Sequence, residues 1–446
     1  MNSSFSRIKL QTSVLAIAFG IFGVTYLLKD DQFINHFISI SGLILAGIAY
    51  LYALRQLKSN IALTSGYILL MAFVIRIGAI PIPIFIDDLL YRALWDGWLQ
   101  SNALNPYLYL PSSEQLELLK SNDLRDLVFR ENDYTSYSPL YEVFFRYTGW
   151  LYDHFGLAYA ILWQKGVSIA IDLATIYSLV MLTEQTDKPI RYVAGFAWNP
   201  FLILFITSQG LIVQIGALAI IWFLYLIYSK NYMLANLLWG MVMLATPAGW
   251  LGLPILAFGF YQGLKRWYFI GLSTFTYVVW WIPFFKLEAI QHYLLGLATY
   301  WSDGFSHLSA GYFIVNLLPT ESVYKSLIWL VALILCYLFV IMYIWLKKSP
   351  LNEKQVSHYL MVFCLAYFLF SPVIFLSVVP VLFVLSCYNG TYNGILALFS
   401  TLLLLNFGFL QYSAFLPAIL FGLGLIAIIL SWFNREKIEW VNQFID

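Results

Sequence analysis

Charge is what this sequence has least of. Asp, Glu, Lys and Arg make up 11% of its 446 residues, while hydrophobic types make up 61%. A soluble domain carries about a quarter charged residues, and no water-soluble fold of this length has enough interior to hide so much apolar surface. Lipid is therefore expected to be the solvent for most of the chain. The formal net charge is +1. There is no basic tract of the kind that grips phosphate backbones, which excludes a nucleic-acid partner. Cysteine is nearly absent: Cys336, Cys364 and Cys387 lie in apolar segments without CxxC spacing, and read as buried thiols. The histidines (His36, His154, His292, His307 and His358) share no HExxH-like spacing, which argues against a histidine-built metal site. Internal repeats and low-complexity tracts are also lacking.

What the sequence has in abundance is long apolar runs. They are read at 11–28, 35–54, 61–82, 157–182, 191–208, 210–228, 231–246, 250–263, 267–285, 324–346, 356–371, 373–388, 391–407 and 412–433. Allowing for short and Pro-broken runs, this is about 11–14 spans. The first run follows Arg7 and Lys9 and meets Lys29-Asp30-Asp31 without a small-residue cleavage site, so it reads as a retained helix. With the N-terminus cytoplasmic, the inner loops collect Arg55, Lys58, Lys188, Arg191, Lys230, Lys265, Arg266, Lys347, Lys348, Lys354, Arg435 and Lys437. That is the positive-inside pattern, and it returns the C-terminus inside. The expectation is an all-α polytopic membrane protein, one transmembrane domain over 1–446. Outer loops fall at 83–155 and 286–322. Aromatic residues reach 19%, as suits wide membrane–water interfaces.

Residues 87–153 break the apolar pattern, with eleven acids and five bases among the chain's 47 charged residues. A loop this long is expected to be ordered and functional. The segment 87–100 has helical periodicity. Leu90, Ala93, Leu94, Gly97 and Trp98 share an apolar face, for the membrane surface or neighbouring helices. Asp88, Arg92 and Asp96 form a polar ladder expected to face a cavity. A solvated amphipathic helix is the plainer alternative. Asp87-Asp88 open this helix, where its free N–H groups favour negative charge. Pro106 forces Asn105 out of helical geometry, and Tyr107 and Tyr109 read as interfacial rings. Residues 112–129 read as a second amphipathic helix, and 134–145 as a Pro-started one.

The string Asp87-Asp88, Tyr91-Arg92, Trp95-Asp96-Gly97, Asn105-Pro106-Tyr107 and Tyr137-Ser138-Pro139-Leu140 resembles the first outer loop of GT-C glycosyltransferases. The likeness is to the prokaryotic mannosyltransferase-like enzymes that use polyprenyl-phosphate sugars. Lys165 and Asp172, Asn199-Pro200, and Tyr300-Trp301 with Asp303-Gly304 are similar to later, weaker parts of that pattern. Other parts differ. The stretches 201–218, 244–250 and 371–380 lack the acidic, Gly-His, Lys and His-Pro groups common in related enzymes.

The resemblance implies a GT-C-like helix bundle in the plasma (inner) membrane, with both termini cytoplasmic and the site on the outer face. It implies inverting transfer of a sugar, a mannose-like hexose, from a polyprenyl-phosphate donor to a lipid or glycan acceptor. On this basis Asp87 or Asp88 is the base. Tyr91, Arg92, Asp96, Asn105, Tyr107, Tyr137, Lys165 and Trp301 contact substrate, with Asp172, Pro106 and Pro139 in support. Lys165 is expected at the donor phosphate with Asp172 as its partner, or in a plain Lys165–Asp172 ion pair. Arg76 is expected to snorkel to headgroups. Some relatives use a divalent cation, and Asp87, Asp88 and Asp303 are the carboxylates for Mg or Mn. Two other readings stay open: a transporter or flippase of a lipid-linked substrate, and a catalytically lapsed GT-C relative acting as a partner subunit.

Overall fold

A chain this poor in charge satisfies its backbone by coiling on itself, since apolar surroundings offer no other hydrogen-bond partners. The computed structural model describes residues 2–23, 33–56, 64–84, 87–116, 122–128, 130–303, 350–370 and 376–390, with scattered positions between 331 and 342. Among the described residues there are helices and turns and no strand.

The helices run α1 Asn2–Gly23, α2 Phe33–Gln56, α3 Ser65–Gly78, α4 Asp87–Ser101, α5 Pro139–Phe155, α6 Leu157–Gln185 and α7 Arg191–Ala197. After α7 come α8 Pro200–Leu202, which continues as a π-helical turn over Ile203–Thr207, then α9 Ile215–Tyr228 and α10 Tyr232–Ala245. Helix α11, Pro247–Pro254, also passes into a π-helical stretch, Ile255–Phe260. The series ends with α12 Leu264–Val279, α13 Leu287–Asp303, α14 Glu353–Phe370 and α15 Val378–Asn389. Local chemistry sets the starts. Thr64, Asn199, Asn231 and Thr246 cap α3, α8, α10 and α11 with side-chain oxygens, and Pro139, Pro200 and Pro247 occupy first-turn positions where no N–H is needed.

Helix α6 is the axis of the arrangement and packs on α3, α5, α7 and α9. Among the described residues it is the one helix both long and apolar enough to cross a bilayer. Shorter apolar helices cover 9–21, 65–78, 215–228, 232–245, 247–260 and 378–389. Several expected spans are thus shorter or interrupted. The run 191–208 breaks at Trp198–Asn199, because Pro200 supplies no N–H and Asn199 turns extended to cap the next helix. The expected runs 391–407 and 412–433, and most of 324–346, lie outside the described residues.

The segment 83–155 is ordered around α4 and α5. Gly97 and Gly149 meet where these helices cross. A Cβ on Gly97 would lie 2.0 Å from the Phe145 carbonyl oxygen, and one on Gly149 would lie 2.0 Å from the Gly97 carbonyl carbon. The two backbones are therefore in direct contact, which only glycine permits. Of the expected helix over 112–129, the described residues form a 3-10 turn at Glu114–Leu116 and a short helical turn at Asn122–Arg125, with Leu116, Leu124 and Val128 packed in the α4 cluster; residues 117–121 and 129 lie outside the described residues. The Pro-started helix begins at Pro139 rather than 134, and runs on to Phe155. Residues 134–138 are not helical, and Ser138 is extended because the position before proline avoids helical geometry. Of the 286–322 loop, the part through Asp303 is helix α13 and the rest lies outside the described residues.

Gly97→Ala and Gly149→Ala are each expected to destabilise the protein by about 1–3 kcal/mol, as overpacked sites do. A lower thermal midpoint in detergent checks this; Gly66→Ala, whose Cβ would meet nothing within 4 Å, is the neutral control.

Candidate active site

The backbone of Asp87 and Asp88 forms the first turn of α4. Their side chains, and those of Trp301 and Asp303 at the end of α13, lie outside the described residues. The proposed base and cation ligands are therefore located by their helices alone. Beside that first turn is a narrow crevice. Its walls are Leu89, Leu90, Ala93, Tyr137, Tyr141, Phe145, Gln164 and the turn Gly210–Val213. Tyr137 ties this wall down by donating its hydroxyl to the Leu89 carbonyl at 2.9 Å. Gln164 is 2% exposed and accepts from Thr148 at 2.7 Å. Its amide nitrogen makes no hydrogen bond among the described residues.

Two members of the polar ladder, Arg92 and Asp96, do not line this crevice. Arg92 and Asp96 are buried against α5 and the strap 133–135. Arg92 Nε donates to Asp96 Oδ1 at 3.0 Å, and its Nη1 donates to the Asp133 carbonyl at 2.7 Å. Across the helix crossing stands Glu142, fully buried, which the sequence reading did not single out. It accepts from Gln100 Nε2 at 2.7 Å and from Thr135 Oγ1 at 3.3 Å. Asp96 Oδ2 has no hydrogen-bond partner among the described residues. Burial, and then the charge of Asp96, push the Glu142 carboxyl well above the usual carboxylate range. Burial also raises Asp96, while Arg92 pulls it down. One guanidinium thus stands with two buried carboxyls, and burial favours a proton kept by the pair. Glu142 carries no local sequence signal: it is a lone acid among aromatics, and Asp96 lies on another helix.

The remaining named residues are held by contacts within the protein. Asn105 accepts from Tyr107 N at 3.1 Å in an Asx turn and donates to the Phe284 carbonyl at 3.1 Å. Tyr107 is not an interfacial ring. It is 0% exposed, packed on Trp281, Phe284 and Tyr293, and donates to the Tyr137 carbonyl at 2.9 Å. Tyr91 is half-buried beside the α4 core, and Pro106 and Pro139 are buried.

Lys165 and Asp172 do not pair. Lys165 Nζ donates to the carbonyls of Ile80 at 2.8 Å and Ile82 at 2.5 Å, and so holds the turn that leads from α3 toward Asp87. Asp172 instead pairs with Arg76 at 2.7 Å, both 0% exposed. Thr207 also donates to Asp172 at 2.9 Å, and Arg76 Nη1 reaches the Ala197 carbonyl at 2.8 Å. Arg76 therefore turns inward rather than to headgroups, because a buried carboxylate and the carbonyl freed at the α7 break both await it. Arg92 and Lys165 consequently do not converge on one pocket.

Asp96→Asn is expected to cost about 3–5 kcal/mol by stranding the Arg92 guanidinium, and Arg76→Met the same by stranding Asp172. Thermal unfolding of the purified chain reads both, and Arg76→Met/Asp172→Leu is expected to recover part of the loss. The raised Glu142 carboxyl contributes stability that is full below the unfolded carboxylate range and is lost as pH climbs through its folded value. Glu142→Gln keeps a donor to Asp96 without a titrating proton, so its stability profile should be flatter than wild type above about pH 5.

Against this geometry stands the comparison with known proteins: no protein-family model, no curated protein and no solved structure matches the chain.

Proposed function

We propose that the chain is a multi-pass membrane glycosyltransferase of GT-C type. It takes a hexose, mannose-like, from a polyprenyl-phosphate donor and joins it to a lipid or glycan acceptor at the non-cytoplasmic face of the plasma membrane. The observation that carries this reading is the setting of the acidic pair. Asp87-Asp88 begin a helix that is fixed by a backbone crossing and a buried ion pair, next to a crevice lined by Gln164, whose amide nitrogen has no hydrogen bond among the described residues. A general base must be held within a fraction of an ångström of its work, and sites on rigid elements achieve that. The sequence string that opens at Asp87 supplies the reaction class. Outward-facing Leu70, Phe73 and Ile77 on α3, Leu162 and Tyr177 on α6, and Trp267, Phe275 and Val278 on α12 are exposed. So much outward apolar surface supports a bilayer as the surrounding medium.

In the proposed step the acceptor hydroxyl oxygen attacks the anomeric carbon. The bond from that carbon to the phosphate oxygen breaks, and its electron pair leaves with the polyprenyl phosphate. Asp88 or Asp87 takes the hydroxyl proton. The transition state resembles the oxocarbenium ion of glycoside hydrolysis, which carboxylates stabilise. Arg92 and Lys165 act as positioning residues: one fixes α4, and the other fixes the Ile80–Ile82 turn before it. Their engagement with internal partners is also what favours a second reading, a lapsed relative that serves as a partner subunit.

Full-length protein in lipid nanodiscs, given radiolabelled polyprenyl-phosphate hexose and a membrane extract as acceptor source, decides between them. Wild type should transfer label, and Asp87→Asn or Asp88→Asn should lower the rate by about 10²–10⁴. Equal transfer by wild type and both variants would sink the assigned base, and no transfer with any donor would favour the lapsed reading. Lys165→Gln should lower kcat while leaving donor KM near wild type. A rise in KM alone would restore Lys165 to phosphate binding.

A further inference from the structure

The crevice beside α4 has walls from both α5 and α6, which a single residue joins: Gly156, at φ +86°. Ala93 on α4 and Tyr141 and Phe145 on α5 make its apolar sides. Its polar edge is Gln164 on α6 together with the turn Gly210–Val213 that leads into α9. Gly210, at φ +71°, lets that turn lie close on α6. A Cβ there would meet Lys165 N at 3.3 Å and Gln164 Cγ at 3.4 Å.

What this edge offers is donors. Helix α9 opens with Ile215 N donating to the Ile212 carbonyl at 3.1 Å and Gly216 N donating to the Val213 carbonyl at 3.4 Å. The N–H groups of Ile212 and Val213 themselves make no hydrogen bond among the described residues, although both residues are buried. Buried N–H groups without a partner are rare in folded proteins. Gln164 is an independent sign of the same kind. It is 2% exposed, Thr148 holds its oxygen at 2.7 Å, and its amide nitrogen is the end left over. The nearby carbonyls are already occupied. Leu211 accepts from the Ser168 hydroxyl at 2.6 Å, and Ile212 and Val213 accept from the first turn of α9. A site that presents N–H groups and few acceptors selects a group that accepts without donating.

Phosphate and carbonyl oxygens both meet that description, and charge separates them. Neither Arg92 nor Lys165 lines the crevice, and both are engaged elsewhere. An anion enclosed by aromatic and aliphatic walls with neutral donors alone is costly. An ester carbonyl needs only those donors, and the apolar walls suit the chain attached to it. A polyprenyl tail carries no carbonyl, so the donor does not answer to this edge. We propose that the crevice is the acceptor subsite and binds an acylglycerol, whose ester carbonyl accepts from Gln164 Nε2 and from the free N–H groups at the start of α9. This rests on the glycosyl-transfer reading above and narrows its acceptor to an ester-linked lipid with a free hydroxyl. In a diacylglycerol that hydroxyl is a few bonds from the ester carbonyls. Leu89 and Leu90, which line the crevice, directly follow Asp87-Asp88 in α4, so a lipid seated there brings its hydroxyl toward the assigned base. The step is the transfer already described, with the glycerol hydroxyl oxygen as the attacking atom.

The test uses the full chain in nanodiscs of ether-linked phosphatidylcholine, which supply no ester carbonyl. A diazirine-bearing dioleoylglycerol is crosslinked to the protein, and unlabelled dioleoylglycerol competes against its dialkyl ether analogue, which keeps the chains and the hydroxyl but has no carbonyl. The ester is expected to compete about tenfold better than the ether, as one or two hydrogen bonds between neutral groups allow. Gln164→Met should erase that difference; Thr148 keeps its bond to the Phe144 carbonyl at 3.4 Å in that variant. Ala93→Val, which narrows the crevice and leaves the donors in place, should weaken crosslinking itself. Both variants are checked for wild-type elution and melting, and if Gln164→Met fails, Ala93→Val carries the test. Equal competition by ester and ether, an ester preference that survives Gln164→Met, or displacement of the probe by millimolar inorganic phosphate would each overturn the carbonyl site. Radiolabelled polyprenyl-phosphate hexose is then given with dioleoylglycerol as sole acceptor, and label is expected in that lipid. If a membrane extract is labelled and dioleoylglycerol is not, the acceptor assignment is overturned and the transferase reading stands. If the ester preference holds but no acceptor is labelled, the transferase reading falls and takes the acceptor role with it.

Discussion

Gly97 and Gly149 bring two helices into backbone contact, and the outer layer is organised by that approach. With no side chains between them, α4 and α5 close over Asp96 and Glu142 and remove both carboxyls from water. Once sealed, two carboxyls and one guanidinium balance only if a proton stays with the pair, and the rise of Glu142 follows. The same contact turns the rest of α5 outward, so its exposed Val143, Tyr147 and Trp150 are the reverse side of the crossing. A bulkier residue at either glycine would separate the helices and wet the carboxyls.

A second regularity concerns how a chain with so few charges uses the buried ones. Arg76 is spent on Asp172 and the Ala197 carbonyl, Arg92 on Asp96 and the Asp133 carbonyl, and Lys165 on the carbonyls of Ile80 and Ile82. Each cation sits where the backbone leaves regular helix, at the α7 break, the strap before Tyr134 and the turn after α3. Carbonyls without an N–H partner are costly in apolar surroundings, and a cation is the strongest donor available to them. These residues shape backbone corners, and the chemistry proposed for the chain is thereby concentrated on the acidic pair.

Much of this was legible in the residues. Apolar runs and proline positions locate most helices, and the periodicity of 87–100 predicts α4 to within one residue. The burial of Leu90, Leu94 and Trp98 follows from the same spacing. Pairing was not legible. Lys165 and Asp172 are seven apart on one helix, which invites a bond between them. Yet Asp172 finds Arg76, ninety-six residues earlier, because tertiary packing decides partners across helices. Glu142 escaped notice for a similar reason: its acidic partner lies on another helix, and a lone Glu among aromatics carries no local signal.

The corner at Gly156 has a mechanical meaning. One residue joins a 17-residue helix to a 29-residue one, so two torsion angles carry the whole connection. There is no slack for α5 to slide or roll on its own. Gln164 stands on the long arm of this elbow, while Tyr141 and Phe145 stand on the short arm, and together they form opposing walls of the crevice. At 1.5 Å per residue those walls stand about 12–22 Å from the corner, so a bend of a few degrees at Gly156 moves them by about 1 Å. The width of the crevice is therefore a reading of the angle between two helices, and any force that tilts α6 is felt there as a change of aperture.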